Sequence, residues 1–341
     1  MRKPKRASTR SGLRSGSAAA DPVVASERPL VPPTGAIDAS AIHREGQTVG
    51  GRSRLAHYVN FVRLPHTVFA LPFALVGVVL ASYVAPVRWA VVLWVIVAFT
   101  AARFAAMGFN RMADRRIDAK NPRTAMRELP SGKLGVREAA VSVLIAAVMF
   151  VAAAWKLNPL CFVLAPVALA WVLFYSYTKR FTRWSHLVLG IGMGIAPAGG
   201  YLAVTGQWSQ PWWVIPALVA AVMTWGAGFD VMYALQDISF DREQRLHSLP
   251  ASLGVRGALR AARALHAATV GLLSIVVSEA VGVAKAGIWS WIGVAVVAGL
   301  LAYEHSIVSE DDQSRLDAAF FTMNGLISIA FFGFILLDRV L

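Results

Sequence analysis

The stretch WAVVLWVIVAFTAARFAAMGFNRMADRRID, residues 89–118, decides the fold because an apolar segment is followed directly by three regularly spaced polar residues. Asn110, Asp114 and Asp118 follow one another at intervals of four residues, a spacing that keeps them on one face of an α-helix. Ionised side chains in hydrocarbon cost roughly 2.5 to 3.5 kcal/mol each, so such groups pair, bind ions or line a wet cavity. We call these residues the first acidic stripe and predict that it lies at the mouth of a membrane helix.

A second apolar run ends in a similar pattern. Here the polar residues stand at offsets of zero, three, seven and eleven, and we call them the second acidic stripe: Asp230, Tyr233, Asp237 and Asp241. At about 100° per residue these offsets fall within about one quadrant of a helix. The two stripes predict one site, built where two membrane helices open.

Composition supports an all-α, polytopic membrane protein. Hydrophobic residues make up 57% of the 341 residues, charged residues only 15%, and the mean hydropathy is +0.56, whereas soluble domains are about 25% charged. A net charge of +14 would suggest nucleic acid in a soluble chain. The basic residues lie between apolar runs, however, so we expect a lipid bilayer and no nucleic acid as partner. Cys161, the only cysteine, excludes a disulfide framework and a cysteine metal site.

Two regions are predicted from this composition. Residues 1–54 indicate a disordered basic tail, because Arg, Lys, Ser, Gly and Pro occur without apolar periodicity. Residues 55–341 form the membrane domain. The Arg- and Ser-rich first residues also fit an organellar transit peptide, but a cationic tail on the cytoplasmic membrane surface is the simpler interpretation.

The apolar runs after His57 are long enough to span a bilayer, which takes about 20 helical residues. They predict nine transmembrane helices, near residues 66–85, 88–108, 138–156, 159–178, 185–204, 211–233, 262–283, 286–303 and 318–338.

The charges of the connecting loops predict the orientation. Lys and Arg are concentrated in three connections, 111–137, 179–183 and 242–263, and are sparse in the alternate ones. The positive-inside rule places the basic loops in the cytoplasm. We therefore expect an integral protein of the cell inner (plasma) membrane, with both stripes and the active site facing the cytoplasm.

Several carboxylates at one mouth would repel one another unless cations lie between them. Mg²⁺ is bound by a few carboxylates together with phosphate oxygens, and neighbouring bases can hold the remaining phosphate oxygens: Arg111, Arg115, Arg123, Lys179, Arg180 and Arg242. The pattern predicts Mg²⁺ and a lipid diphosphate. A site of this kind favours ionisation of an allylic carbon–oxygen bond, with the cation shielded from water by apolar and aromatic walls.

These residues resemble a known family. Asn110-x3-Asp114-x3-Asp118 with Asn121-Pro122-Arg123-Thr124, the central Tyr175-Ser176-Tyr177-Thr178-Lys179-Arg180, and Asp230-x2-Tyr233-x3-Asp237-x3-Asp241 are similar to the ordered motifs of the UbiA-type intramembrane prenyltransferases. The resemblance extends from Arg63 to the C-terminus. It implies nine helices around a central cavity, two Mg²⁺ ions that bridge the diphosphate, and prenyl transfer. Arg111 departs from the pattern, because many relatives have a further Asp at this position.

Within the family, residues 63–72 and 234–250 look most like the 4-hydroxybenzoate polyprenyltransferases, and most of all like the branch that makes menaquinone through futalosine. The implied reaction is Mg²⁺-dependent transfer of a polyprenyl group from polyprenyl diphosphate to the ring of a hydroxylated aromatic acid. The acid would be 4-hydroxybenzoate or a dihydroxynaphthoate, in ubiquinone or menaquinone biosynthesis.

The roles that we assign follow from this hypothesis. The predicted metal ligands are Asn110, Asp114, Asp118, Asp237 and Asp241; the predicted substrate-binding residues are Arg63, Arg123, Lys179, Arg180 and Tyr175; and the predicted catalytic residues are Asp230 and Tyr233. The alternative for the acidic residues is structural pairing with arginines. The alternatives for the whole protein are a family member with another acceptor and a cation-coupled transporter.

Overall fold

The apolar runs of the sequence form α-helices, and no strand occurs in the part of the chain that the structure describes. The structure is a computed structural model that describes residues 53–64, 67–279, 287–310, 316 and 319–341, so the predicted tail, except for its last two residues, lies outside it. The helices are α1 Arg54–Phe61, α2 Thr67–Ala81, α3 Trp89–Lys120, α4 Val136–Leu157, α5 Pro159–Thr178, α6 Ser185–Thr205, α7 Val214–Tyr233, α8 Ile238–Glu243, α9 Leu249–Glu279, α10 Ile288–Ser306 and α11 Asn324–Val340.

Eight helices of the described residues are long and apolar enough to cross a membrane. The predicted first span, residues 66–85, corresponds to α2, which has 15 residues. At 1.5 Å per residue, α2 is shorter than the roughly 30 Å hydrocarbon core. The all-helical membrane fold is confirmed, while the count of nine spans stays a prediction.

Two helices extend well beyond their predicted spans. α3 continues past residue 108 to Lys120, so the apolar run and the first acidic stripe belong to one helix of 32 residues. α9 begins at Leu249 rather than near residue 262, and Gly254 interrupts it with a φ of 70°. Its basic segment is rich in Ala, Leu and Arg, which are strong helix formers. The positive charge of this segment therefore did not mark the start of the helix.

Small residues let the central helices pack closely. A Cβ atom at Gly190 of α6 would overlap the carbonyl of Met223 in α7, and one at Gly77 of α2 would overlap the carbonyl of Pro197 in α6. Gly190 and Gly77 therefore let the helices approach one another closely. The large aromatic side chains fill the space between these helices. The ring centroids of Phe73 and Trp225, for example, are 4.7 Å apart.

The outer helices turn apolar side chains outward. Leu144 and Val148 of α4 and Val163 and Val167 of α5 are all exposed. A soluble protein rarely leaves so contiguous an apolar surface in water, whereas lipid tails solvate it. This surface therefore supports the membrane assignment.

The three basic connections meet at one end of the bundle, as their alternation predicted. The backbone N–H of His247, in the connection that precedes α9, donates to the carbonyl of Lys179, in the connection after α5, at 2.7 Å. Arg180 donates to the carbonyl of Ala113 in α3 at 2.7 Å. Both acidic stripes therefore open at the same end of the molecule.

Candidate active site

The first acidic stripe lies on the last part of α3. Asn110 donates from Nδ2 to Asp114 Oδ2 at 3.2 Å, and Arg180 donates from Nη2 to Asp114 Oδ1 at 3.1 Å. Asp118, one turn further, is buried and accepts from Arg127 Nη1 at 2.6 Å. Both carboxylates of this stripe thus have an arginine partner.

The second acidic stripe does not lie on one regular helix. Asp230 and Tyr233 belong to α7, Asp237 closes a 3₁₀ turn over Ala234–Asp237, and Asp241 lies on α8. A 3₁₀ turn advances by about 120° per residue rather than 100°, so the prediction that all four residues lie within one quadrant of a single helix is wrong.

The segment after α3 joins the two stripes. Arg123 donates to Asp237 from Nε at 3.0 Å and from Nη2 at 2.5 Å, and Asn121 Nδ2 donates to the same carboxylate at 3.0 Å. Arg123 Nη1 also donates to the hydroxyl of Tyr233 at 3.2 Å. A two-point arginine–carboxylate contact fixes both distance and orientation. The segment that follows the first stripe thus contacts the second stripe directly.

Lys179 lies between the stripes. It interacts electrostatically with Asp114 from the first stripe and with Asp230, Asp237 and Asp241 from the second. Burial alone would lower the pKa of the Lys179 ammonium, but these carboxylates together raise it above its ordinary value. Lys179 is therefore a fixed positive charge at neutral pH, suited to an anionic ligand.

Tyr175 lies on α5, one turn before Lys179. It interacts electrostatically with Asp230 and Asp114 and so also lies between the stripes. The Arg180 guanidinium stacks over the ring of Tyr177 at 4.9 Å. Tyr175, Lys179 and Arg180 of the central motif therefore face the site. Arg242 does not point to the acidic residues, because its Nε donates to the carbonyl of Ala251 at 2.9 Å.

The carboxylates have the donor chemistry that Mg²⁺ requires. Asp241 Oδ2 is buried and has no hydrogen-bond partner among the described residues, so it keeps an oxygen for a ligand. In the described ranges, however, no three His, Cys, Asp or Glu side chains already converge on one point. Asp114, Asp118 and Asp237 are each paired with an arginine instead. The oxygen atoms of these residues are of the kind that binds a divalent ion. Pairing with arginine, the alternative for the acidic residues, occurs at three of them.

Two arginines lie on the membrane side of the stripes. Arg103 precedes Asn110 by seven residues on α3, so both face the same way. Its Nε is buried without a hydrogen-bond partner in the described part of the chain, and its Nη2 donates to the carbonyl of Arg63 at 3.4 Å. The Arg63 guanidinium lies 5.9 Å above the ring of Phe321, which in turn packs edge-on against Tyr233. Positive charge therefore lines this side of the site.

A buried histidine holds Asp230. His186, at the start of α6, has no exposed side-chain surface, and its Nδ1 lies 2.6 Å from Asp230 Oδ2. The backbone N–H of Leu249 donates to its Nε2 at 3.4 Å. His186 thus joins α6, α7 and α9 beside a predicted catalytic residue.

Sequence reasoning assigned no role to His186, Arg103, Asn121 or Arg127. Arg103 carried a signal, because a charged residue inside an apolar run and seven residues before Asn110 lies on the face of the stripe. Asn121 belonged to a quoted motif. His186 carried no such signal, because its partner is 44 residues away along the chain.

Comparison with known proteins places these features in context. The family model described as the UbiA prenyltransferase family matches residues 70–326. The chain is 28% identical over 227 residues to the 4-hydroxybenzoate octaprenyltransferase of Alkalilimnicola ehrlichii, covering 67% of this chain and 75% of that protein. It is 27% identical over 289 residues to the enzyme of the same name from Nitrosospira multiformis, covering 83% of this chain and 96% of that one.

Solved structures share the fold. The apo structure of a UbiA homolog from Aeropyrum pernix K1 superimposes with a TM-score of 0.73 at 36% identity, covering 81% of this chain and 98% of that one. A UbiA homolog from Archaeoglobus fulgidus bound to GPP and Mg²⁺ gives a TM-score of 0.66 at 19% identity, covering 84% of this chain and 100% of that one. At this lower identity the likeness concerns the fold alone.

Proposed function

This chain belongs to the UbiA prenyltransferase family, and we propose that it transfers a polyprenyl group from polyprenyl diphosphate to a ring carbon of a hydroxylated aromatic acid. The acceptor is of the 4-hydroxybenzoate or dihydroxynaphthoate type, which places the reaction in ubiquinone or menaquinone biosynthesis. Relatives named 4-hydroxybenzoate octaprenyltransferase support this acceptor class. A prenyltransferase of the same family with another acceptor is the alternative, and the experiment below tests the acids directly.

The observation that carries the proposal is that Arg123, which follows the first stripe along the chain, holds the second stripe, and that Lys179 interacts with both. Arg123 contacts Asp237 and Tyr233 directly, and Lys179 interacts with carboxylates of both stripes. Alternating acidic and basic groups at one mouth suit a diphosphate that is held by cations and by side chains at once. A transporter would instead need acids near the bilayer midplane that open to both sides.

In this proposal, Arg123, Lys179 and Arg180 bind diphosphate oxygens, and Asn110, Asp114, Asp118, Asp237 and Asp241 hold Mg²⁺. The chemistry that bound Mg²⁺ supplies is neutralisation of the charge that grows on the leaving diphosphate. The protein's own contribution is to orient both substrates and to keep water from the allylic cation.

The acceptor lies on the membrane side, between the stripes and Arg103. The guanidinium groups of Arg103 and Arg63 supply the positive charge that an aromatic carboxylate needs in an apolar site. Tyr233 and Tyr175 orient the acceptor ring, and Asp230 takes up the proton that the acceptor gives up. The site opens to the cytoplasmic side of the inner membrane.

The test is prenyl transfer by purified protein in detergent. Labelled polyprenyl diphosphate is incubated with 4-hydroxybenzoate or with dihydroxynaphthoates, before and after EDTA treatment. We expect a labelled product with at least one acid, loss of that product with EDTA, and recovery on addition of Mg²⁺. Absence of product with every acid would contradict the proposal.

The metal assignment has its own test. Asp237→Asn or Asp114→Asn should lower turnover by several orders of magnitude, since each factor of ten corresponds to about 1.4 kcal/mol of barrier. Glu310→Gln is the matched control, because Glu310 is exposed and pairs with Arg256 away from the stripes. Near-normal turnover in folded Asp237→Asn and Asp114→Asn proteins would exclude these carboxylates as metal ligands.

A further inference from the structure

The hydrogen bonds of His186 fix both its ring and its tautomer. Nε2 accepts the backbone N–H of Leu249 at 3.4 Å and therefore carries no proton. The proton of the neutral imidazole is then on Nδ1, which donates to Asp230 Oδ2 at 2.6 Å. The ring is completely buried, so water does not compete for either nitrogen. One backbone donor thus determines the direction in which His186 donates.

Asp230 is held at one oxygen only. No hydrogen bond from a described residue reaches its Oδ1, and its side chain is 17% exposed whereas that of His186 is fully enclosed. Tyr175 and Lys179, at the end of α5 and directly after it, interact with Asp230 electrostatically. A carboxylate that is fixed at one oxygen by a buried donor presents its other oxygen in a defined direction.

We propose that His186 is the positioning residue for Asp230: its Nδ1–H holds Oδ2 so that Oδ1 faces the acceptor ring and accepts the proton released there. This inference rests on the proposed function. A merely structural His186 would tie α6 to α7 and α9 without affecting the proton transfer, and the experiment below separates these roles.

The bond between prenyl C1 and the diphosphate oxygen breaks, and its electron pair leaves with the diphosphate. A ring carbon ortho to the acceptor hydroxyl forms a bond to C1. The electron pair of the C–H bond at that carbon restores the aromatic ring, and the proton goes to Asp230 Oδ1. No oxidant or further reactant is needed.

Removal of the His186 side chain should slow this proton transfer. In His186→Ala we expect kcat to fall by about 100-fold, at the lower end of what a positioned acid or base contributes. The KM for polyprenyl diphosphate should stay within about two-fold, because the hydrogen bonds of His186 go to Asp230 and Leu249 and not to Arg123, Lys179 or Arg180. His186→Asn should restore most of the lost kcat, since its amide N–H lies close to the position of Nδ1.

An isotope effect distinguishes the proton step from a general loss of structure. With an acceptor deuterated ortho to its hydroxyl, His186→Ala should show a primary isotope effect on kcat that the wild-type enzyme lacks, because deprotonation has become rate-limiting. In an Asp230→Asn background, His186→Ala should lower kcat little further, since His186 acts through Asp230.

Thr224→Val is the matched control. Thr224 forms a buried hydrogen bond to Thr269 between α7 and α9, away from Asp230, and its removal should leave kcat near that of the wild type. The inference is overturned if kcat of His186→Ala falls without an isotope effect, or if His186→Ala lowers kcat by the same factor in the Asp230→Asn background. It is also overturned if His186→Asn does not restore kcat, or if Thr224→Val lowers kcat as much as His186→Ala does. Wild-type protein without transfer activity would instead refute the proposed function.

Discussion

At the scale of single residues, the half-buried Arg103, whose Nε is buried without a hydrogen-bond partner among the described residues, is the group that most needs a ligand. Its guanidinium lies in the apolar part of α3, and no carboxylate among the described residues forms an ion pair with it. Burying a charge without a counter-charge is costly. An aromatic carboxylate that enters from the membrane would supply the counter-charge.

We predict that Arg103→Gln raises the KM for the aromatic acid by about ten- to one-hundred-fold, because a hydrogen bond to a charged group contributes about 1.5 to 3 kcal/mol. The KM for polyprenyl diphosphate should not change. Steady-state kinetics with each substrate varied in turn is the measurement. Arg116→Gln, an exposed arginine on the same helix, should leave both values unchanged. An equal rise for both substrates in Arg103→Gln would mean that Arg103 does not select the acid.

At the scale of the elements, the site depends on how closely α6 approaches α7. α6 carries His186 at its start and α7 carries Asp230 near its end, so a shift between these helices would separate the pair. Gly190 lies one turn beyond His186 and contacts the backbone of α7 directly. The absence of a side chain at Gly190 is therefore a condition for the geometry of the site.

We predict that Gly190→Ala destabilises the protein by about 1 to 3 kcal/mol, the usual cost of overpacking, and lowers turnover. Thermal unfolding in detergent and the prenyl transfer assay are the measurements. Gly199→Ala is the control on the same helix, since a Cβ there would meet no atom within 4 Å. That control should be neutral or slightly stabilising, because Ala is the better helix former. Equal destabilisation in both variants would contradict close packing at Gly190 as the cause.

At the scale of the whole molecule, charge divides the two ends of the bundle. The end that holds both stripes also holds the connections from residues 121–135, 179–184 and 244–248. The opposite end has few charged residues in the described part of the chain. One of them, Arg339 of α11, donates from Nε to Ser82 Oγ at 2.9 Å. The positive-inside rule therefore still gives one orientation.

We predict that a membrane-impermeant thiol reagent labels Met126→Cys only from the cytoplasmic side and Trp212→Cys only from the other side, both in a Cys161→Ala background. Met126 lies in the connection after α3, Trp212 lies between α6 and α7, and both are exposed. Labelling of right-side-out and inverted vesicles is the measurement. Reversed labelling would move the proposed active site to the opposite face.

The sequence by itself determined the membrane class, the approximate position of most helices, and the face of the first acidic stripe. Hydropathy and a four-residue spacing are local properties, so α5 has the bounds 159–178 in both the prediction and the structure. The end of α3, the start of α9 and the break after Tyr233 were missed, because favourable helix formers and tertiary contacts carry a helix past the last apolar residue.

Only the tertiary structure decided which side chains meet. Arg123 pairs with Asp237 across 114 residues, and His186 with Asp230 across 44. Such pairs depend on which helices are neighbours and on their rotation about their axes. A periodic pattern along one helix does not specify either, because the closeness of two helices is set by small residues such as Gly190 on both of the facing surfaces.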